Sequence, residues 1–417
     1  HAKERYVLFV RPRDREMETW NGRRAGVEGA IAVYGADTAY PVEELDGKLR
    51  EHVADRPAIF YRTGNEAFDQ KVLRLLDQSR VMRARGIPAP TRIEDPTPIV
   101  HEMRLRRSPA EIVSQRRAAA LSRDAHVEAM RYAAPGQYEY EVQAAIEFVF
   151  RAGGSRRNAY PSIVASGANA CILHYQENNR RMEDGDLLLI DAGCEYGYQS
   201  ADITRTFPVN GRFRPPQAAV YEVVLRAQLA AIAAARPGAL HEDVHAAAVR
   251  VLTEGLVALG LLPRSVPDSL AMHHYREFYM HGTSHWLGMD VHDVGDYRIR
   301  GASRPLEAGM VLTVEPGLYI DPDRDSATFW LREYSETEQN ERRLRLGPAA
   351  ARRLEDEEKG RASSVVHPIP AEFRGIGIRI EDDVLITADG NEVLTTGTPK
   401  SIEDVEAACR QRPRLPR

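Results

Sequence analysis

The chain has 417 residues, of which 43% are hydrophobic and 28% charged, so it is globular and long enough for two domains. Its 56 basic and 61 acidic residues give a net charge of -5 and offer no polybasic surface for nucleic acid or anionic lipid, and no apolar run reaches the ~20 residues that span a bilayer. Three scattered cysteines are too few for a disulfide framework, so we expect a protein of the reducing cytoplasm, without a signal peptide.

Residues 1–97 predict a small α/β domain. The segments "RYVLFVRP", "GAIAVYG" and "PAIFYRTG" are typical of strands, and "AFDQKVLRLLDQSRVMRAR" is typical of an amphipathic helix. The proline-rich segment "GIPAPTRIEDPTPIVHEM" then predicts a domain boundary between Asp95 and Ser108. Ser108, Pro109 and Glu111 indicate a helix start, because proline suits the first helical position and the serine and glutamate form a capping box.

Residues 98–417 predict a larger α+β domain. Helical segments such as "EYEVQAAIEFVFRAG" and "PPQAAVYEVVLRAQLAAIAAA" alternate with apolar strands such as "DLLLIDAGCEY", "ADITRTFPV", "GMVLTVEPGLYI" and "GIGIRIEDDVLIT". Residues 321–367 break this pattern with highly charged sequence. We expect an exposed insertion there, helical or disordered, without chemistry of its own.

Two aspartates lie in a predicted hairpin, "GDLLLIDAGCEYGYQSADITRTFPV". A turn centred on Tyr196 and Gly197 would place Asp191 opposite Asp202, with side chains ~5 Å apart. Two solvated aspartates are the simpler interpretation. However, strand interiors disfavour aspartate, opposed like charges are destabilising, and the flank "LLLI" is apolar. The pair therefore indicates a shared binding position.

Two further acids, Glu315 and Glu381, each stand at the end of an apolar strand. Either one alone could be a hydrogen-bonded structural residue. Four acids close together require positive charge, because repulsion and desolvation would otherwise keep most of them protonated. Two divalent ions would balance the four carboxylates, and hard oxygen ligands suit manganese or magnesium.

Three of the thirteen histidines fall within twelve residues in "MHGTSHWLGMDVHDVG". A single histidine is more often a core or surface group, but His281, His285 and His292 lie in a glycine-punctuated stretch that we place beside the acids. An imidazole added to carboxylate ligands shifts the preference toward manganese, cobalt, zinc or iron.

The stretch "HEDVH", residues 241–245, matches the H-E-x-x-H pattern of zinc peptidases. His241 is expected at the first helical turn, where side-chain geometry is least fixed. Val251 occupies the place of a third histidine, and Glu242 and Asp243 are equally well explained by the helix N-terminus. We therefore favour the strand-end acids over this motif as the metal site.

Five motifs taken together, "LIDAG", "ADITRTFPV", "HGTSHWLG", "TVEPGLYI" and "GIRIEDD", resemble the pita-bread metallopeptidases of family M24. Within them the chain is similar to the Xaa-Pro aminopeptidase (aminopeptidase P) family from about Arg5 to its C-terminus, including "CILHYQENN". The resemblance implies a pita-bread catalytic domain preceded by a smaller α/β domain. The chain departs from the family by lacking the first part of that α/β domain and by the insertion at 321–367.

The resemblance also implies a ligand set for two metal ions, usually Mn²⁺. Asp191 would bind one ion, and His285 and Glu315 would complete the shell of the other. Asp202 and Glu381 would bridge the two.

Further roles follow from the same resemblance. His174 and His292 would stabilise the tetrahedral intermediate and move protons, and His281 would position substrate. A plain loop histidine is the alternative for His174.

Around the proline pocket the resemblance places Tyr319 and Arg379, although Arg379 could instead simply pair with nearby acids such as Asp382. Trp20 resembles a tryptophan that a neighbouring subunit contributes, which implies a homo-oligomer, a dimer or tetramer.

The implied reaction is hydrolysis of the Xaa-Pro bond at the N-terminus of peptides. A metal-bridging hydroxide would be the nucleophile and Glu315 would carry its proton toward the leaving nitrogen. Prolidase, which cleaves Xaa-Pro dipeptides, is the alternative with the same chemistry. A metal-free binding module or a creatinase-like hydrolase is the alternative of a different class, whereas methionine aminopeptidase normally lacks the preceding α/β domain.

Overall fold

The computed structural model describes residues 4–54, 56–83, 86, 88–330, 342–359 and 364–415, with the backbone alone for 355–359. The chain divides into two compact units, His1–Val100 and His101–Arg417. Within the described part of the chain, every helix is too short or too polar to cross a membrane.

The first unit is a small α/β arrangement built on two parallel strand pairs. Strand β1 pairs with β2, and β3 pairs with β4. Its elements are β1 (Val7–Val10), α1 (Arg15–Asn21), α2 (Gly26–Ala32), β2 (Thr38–Pro41), α3 (Leu45–Val53), β3 (Ala58–Phe60), α4 (Glu66–Arg83) and β4 (Arg92–Glu94).

The expected strand in "GAIAVYG" was wrong, because most of this stretch belongs to helix α2. Gly26 and Ala30, one helical turn apart, are the buried residues, while Val33 is 77% exposed. A short apolar run does not distinguish a strand from a helix. The strand that pairs with β1 follows in "TAYP" instead.

The second unit contains longer helices and several antiparallel strand pairs. Helix α6 begins with the predicted capping box of Ser108 and Glu111. The elements of the second unit are α5 (Thr97–Leu105, which begins in the first unit), α6 (Pro109–Tyr132), α7 (Glu139–Ala152), β5 (Arg157–Asn158), β6 (Ile163–Ser166), β7 (Leu187–Asp191), β8 (Cys194–Tyr196), β9 (Gln199–Ser200), β10 (Thr204–Pro208), α8 (Pro215–Ala234), α9 (His241–Ala258), α10 (Val266–Ala271), β11 (Arg298–Ile299), β12 (Ala302–Ser303), β13 (Val311–Val314), β14 (Gly317–Tyr319), β15 (Ser326–Trp330), α11 (Pro348–Lys359), β16 (Ser364–Pro368), β17 (Gly377–Arg379), β18 (Asp382–Ile386), β19 (Asn391–Val393) and α12 (Ile402–Cys409).

Antiparallel pairing brings distant strands of this unit together. Strand β7 lies between β6 and β10, β13 pairs with β18, and β14 pairs with β17. Leu188, Ile190 and Phe207 are fully buried in a core that α6, α7 and α8 also line. The ends of these strands therefore meet over one hydrophobic layer.

The predicted register of the acidic hairpin was wrong by two residues, because the turn is centred one residue later than predicted. Asp191 pairs with Thr204, and Glu195 pairs with Ser200. The turn residues are Gly197 and Tyr198, both with positive φ, as a tight two-residue hairpin turn requires. Asp202 lies in the break between β9 and β10, across from Gly193.

The insertion predicted at 321–367 is partly ordered sheet. Strands β15 and β16 pair in antiparallel register, and Ala327 and Phe329 are buried. Both ends of the segment are thus strands, contrary to the expected helix or disorder, whereas α11 (Pro348–Lys359) between them is helical as expected. Residues 331–341 and 360–363 of the insertion lie outside the described residues.

Candidate metal centre

Strand ends bring the four predicted acids to one cavity of about 450 Å³. Asp191 ends β7, Asp202 follows β9, Glu315 follows β13 and Glu381 lies between β17 and β18. His285 lines the same cavity. Strand β7 pairs with β10, and the Glu381 backbone N–H donates to the Thr204 carbonyl of β10 at 3.1 Å. These contacts supply a proximity that sequence spacing could not reveal.

Three of the predicted ligands form a compact donor cluster. One ligand atom each from Asp202, His285 and Glu381 lies within 4.8 Å of the others. His285 Nε2 is 3.4 Å from Asp202 Oδ2 and 3.5 Å from Glu315 Oε1, while its Nδ1 is 3.1 Å from the Trp286 carbonyl oxygen. With the ring proton donated from Nδ1, Nε2 is free to act as a ligand.

Hydrogen-bond donors orient the carboxylates from behind. The Tyr160 hydroxyl is 2.6 Å from Asp191 Oδ1 and also contacts Asp202 Oδ1. Arg379 Nη2 donates to Asp191 Oδ2 at 2.6 Å, and the Thr204 hydroxyl donates to Glu381 Oε2 at 2.6 Å. The acids are therefore held in place by neighbouring side chains.

Burial makes this cluster unfavourable without added positive charge. It raises the pKa of Glu381 well above its ordinary value, with Asp202 and Glu315 adding to the effect. It likewise raises the pKa of Asp202, next to Asp191, and that of Glu315 to about 7. Burial alone would lower the pKa of His285, but Asp202 and Glu315 outweigh it and raise the pKa to about 9. An oxygen-rich donor set with one imidazole and this excess of acid fits divalent cations.

The remaining predicted histidines, His174, His281 and His292, line the same cavity. The His292 ring centroid is 4.3 Å from that of His285. Burial, and then the charge of Arg379, lower the pKa of His281 to about 3, so this ring is neutral. A neutral imidazole at this position can donate one hydrogen bond from one ring nitrogen and accept one at the other.

Arg379 and Tyr319 form one hydrogen-bonded group beside the acids. Arg379 Nη1 donates to the Tyr319 hydroxyl at 3.0 Å, and His281 Nε2 is 2.8 Å from the same hydroxyl. Of the nearby acids with which Arg379 could pair, it pairs with Asp191 at 2.6 Å and not with Asp382. Asp382 is instead paired with Arg205 and Lys400.

Trp20 belongs to the first unit, on α1, and is 79% exposed. Its large apolar surface is open to a partner, but this unit by itself contains none of the acids of the cavity.

The "HEDVH" residues make other contacts. The His241 ring packs against Trp286 and Tyr297, and Asp243 accepts the Leu240 backbone N–H. Glu242 lies near Arg298, and the side chains of both are about half exposed. The donor cluster found among the described residues does not include this motif.

Sequence reasoning missed Tyr160 and Thr204. Tyr160 precedes β6 in "NAYPSIVAS", and no spacing rule links it to Asp191 or Asp202. Thr204 could have been found from the correct hairpin register, which sets it opposite Asp191.

Comparison with known proteins identifies the family of the chain. The family model "Metallopeptidase family M24" matches residues 114–388, and "Aminopeptidase P, N-terminal domain" matches residues 1–61. The chain belongs to metallopeptidase family M24. Xaa-Pro aminopeptidase of Escherichia coli is 41% identical over 96% of the chain and 81% of its own length, and human Xaa-Pro aminopeptidase 3 is 33% identical over 97% and 70%. The structure of Pseudomonas aeruginosa aminopeptidase PepP superposes with a TM-score of 0.85 at 43% identity, covering 98% of this chain and 83% of that one.

The predicted resemblance, the pita-bread fold with its preceding aminopeptidase P N-terminal domain, and the class of metallo-aminopeptidase are therefore confirmed. Among the alternatives, Xaa-Pro aminopeptidase is supported over prolidase.

Proposed function

We propose that the chain removes the first residue from peptides with proline in second position, using two divalent ions, with Mn²⁺ as the native metal. The supporting observation is the donor cluster of Asp202, His285 and Glu381 in a cavity that Asp191 and Glu315 also line. Those five residues are the proposed ligands. When bound, such ions polarise a carbonyl and lower the pKa of water.

The protein residues then have separate tasks. Arg379, Tyr160 and Thr204 orient ligand carboxylates through the hydrogen bonds described above. Glu315 lies 3.5 Å from His285 Nε2 and 3.7 Å from His281 Nδ1, where it can take a proton from water and hand it on. Glu315 is therefore proposed both as a metal ligand and as the proton carrier.

The three histidines of the cavity, His174, His281 and His292, are proposed to assist the substrate. His174 and His292 hydrogen-bond the scissile carbonyl oxygen as charge develops, and His281 orients substrate together with Tyr319. The proline nitrogen has no N–H, so its release requires a proton supplied within the site. Ile163, Leu173 and Val291 give the cavity an apolar wall for side chains.

We extend the proposal to the setting of the enzyme. It works in the cytoplasm as a homo-oligomer in which Trp20 reaches a neighbouring subunit. Residues 1–97 support assembly and 98–417 carry the reaction.

The decisive assay is release of the first residue from an Xaa-Pro-Yaa tripeptide, with and without Mn²⁺. Turnover of the tripeptide with little turnover of the Xaa-Pro dipeptide is expected. The opposite ratio would favour prolidase, and no bound metal with no rescue by Mn²⁺ would favour a binding module.

The variant Asp202→Asn tests the ligand set. It should abolish activity and metal binding, because it removes a charged donor from the cluster. His241→Ala should leave both nearly intact. Loss of metal in the His241 variant would return the "HEDVH" motif to consideration.

A further inference from the structure

The second histidine of "HEDVH" begins a line of contacts that leads toward the metal centre. His245, half-buried on α9, places Nδ1 2.8 Å from the Thr283 hydroxyl. That hydroxyl is 2.6 Å from the hydroxyl of Tyr279. Thr283 and Tyr279 are each 1% exposed. Two buried hydroxyls and one imidazole therefore form a continuous hydrogen-bonded chain.

The chain ends against a histidine of the cavity. The Tyr279 ring meets His281 edge-on, with ring centroids 4.8 Å apart. On its other side His281 bonds the Tyr319 hydroxyl through Nε2, and through Nδ1 it bonds the Gly282 carbonyl. Both ring nitrogens are occupied, so the remaining freedom of this ring is limited by the position of Tyr279.

Burial makes each link of the chain restrictive. A buried hydroxyl without a hydrogen-bond partner is unfavourable, so Tyr279 favours the rotamer that reaches Thr283. The Thr283 hydroxyl can donate once and accept, and it serves the imidazole on one side and the phenol on the other. His245 thereby restricts Thr283, Thr283 restricts Tyr279, and Tyr279 restricts His281.

We propose that His245 is a positioning residue for the peptidase reaction, acting through Thr283 and Tyr279 to fix the ring of His281 in the cavity. The inference rests on the proposed function for its kinetic consequence. It assigns the "HEDVH" histidine a role that needs no zinc.

The side-chain chain can be separated from a backbone link at the same residue. The Thr283 carbonyl accepts the Glu315 N–H at 2.9 Å, and this bond does not involve the hydroxyl. Thr283→Val keeps the shape and the carbonyl while it removes the hydroxyl. The variant therefore perturbs the path to His281 and leaves the backbone bond to Glu315.

A matched control lies on the same helix as His245. Thr253 is fully buried on α9 and donates its hydroxyl to the Val249 carbonyl at 2.7 Å. Thr253→Val should lower stability by a similar small amount without changing turnover. Thr283→Val should lower kcat roughly tenfold, with metal content and KM nearly unchanged, because misplacing a group by a fraction of an ångström slows the reaction. Equal kinetics for both variants would overturn the proposal.

Conservative and combined variants identify the path. Asparagine carries a polar atom near the position of Nδ1, so His245→Asn should retain most of the turnover that His245→Ala loses. In a His281→Ala background, Thr283→Val should have no further effect on kcat, since the residue it acts through is gone. An undiminished tenfold effect in that background would mean that Thr283 acts elsewhere.

Two measurements decide the contact path without relying on activity. The double-mutant cycle of His245→Ala and Thr283→Val should show a coupling of roughly twofold or more in the unfolding equilibrium constant of the metal-free protein. The ¹⁵N resonances of the His281 ring should shift in Thr283→Val and stay in place in Thr253→Val. If the wild type cleaved no Xaa-Pro peptide, the proposed function would fail while these results still decided the path. Additive stabilities with unmoved resonances would refute it.

Discussion

Gly193 lies between Asp191 and Asp202 of the hairpin. Adding a single methyl group there should weaken metal binding and lower turnover. A Cβ atom added there would lie 1.8 Å from the Ala201 carbonyl oxygen and 3.2 Å from the Asp202 backbone nitrogen. Real Cβ atoms do not approach other heavy atoms closer than 3.0 Å. Gly193→Ala must therefore push the strand that carries Asp202 away by about 1 Å or more.

The size of the effect follows from which atoms must move. The obstructing atoms are backbone, so no side-chain rotation relieves the clash. Overpacking of this kind costs about 1 to 3 kcal/mol of stability. A displacement of 1 Å at a ligand reduces turnover by roughly 100-fold. We expect folded protein with weakened metal binding and kcat/KM lowered by about that factor.

The assay compares metal affinity by calorimetry and tripeptide cleavage for Gly193→Ala and Gly390→Ala. A Cβ at Gly390 would meet nothing within 4 Å, so that variant should behave as wild type. Wild-type metal affinity and turnover in Gly193→Ala would show that the close approach of these strands does not set the geometry of Asp202.

Three further outcomes are expected. Burial lowers the pKa of His126 to about 4 from an ordinary 6.5, so its neutral form stabilises the fold above pH 6.5 and that contribution is lost as the pH falls toward 4. Wild type should lose roughly 3 kcal/mol more than His126→Gln across this range in denaturant titrations, and parallel curves would contradict the assignment. Chelator-treated protein should gain about 3 kcal/mol of stability at Mn²⁺ concentrations 100-fold above Kd, measured as a rise in Tm. Calcium at the same concentration should raise Tm less. Equal Tm values with the two ions would count against the acid cluster as the metal site. Arg107 and Asp293 form an ion pair whose side chains are 0% exposed, so Arg107→Met should lower the free energy of unfolding by about 3 kcal/mol. Arg106→Gln, at a half-exposed ion pair, should lower it by less than about 1 kcal/mol. Similar losses in denaturant titrations of the two variants would refute this distinction.

Sequence reasoning succeeded where a local rule governs the residue. The start of α6 was predicted because Ser108, Pro109 and Glu111 stabilise a helix end by contacts within four residues. The acids were found because charged residues at the ends of apolar strands are unfavourable without a binding role. The helix start and the strand-end acids can each be recognised from a few adjacent residues.

The errors arose where a distant contact or a single backbone angle determines the local structure. Tyr198 adopts a positive φ that few non-glycine residues take, and this moved the hairpin turn by one residue. Ala30 is buried on a helix although its segment resembles a strand. Tyr160 reaches Asp191 across 31 positions, which no periodicity reveals.

The β15–β16 ladder fixes both ends of the connection between its two strands. Ser326 is held against Pro368 and Trp330 against Ser364, so the chain leaves and returns at fixed neighbouring points. Lengthening a connection between two anchored points costs little free energy, because the entropy of loop closure changes only with the logarithm of loop length. A change in the length of this connection is therefore compatible with an unchanged register between Gly317 and Arg379, which pair just inside the ladder.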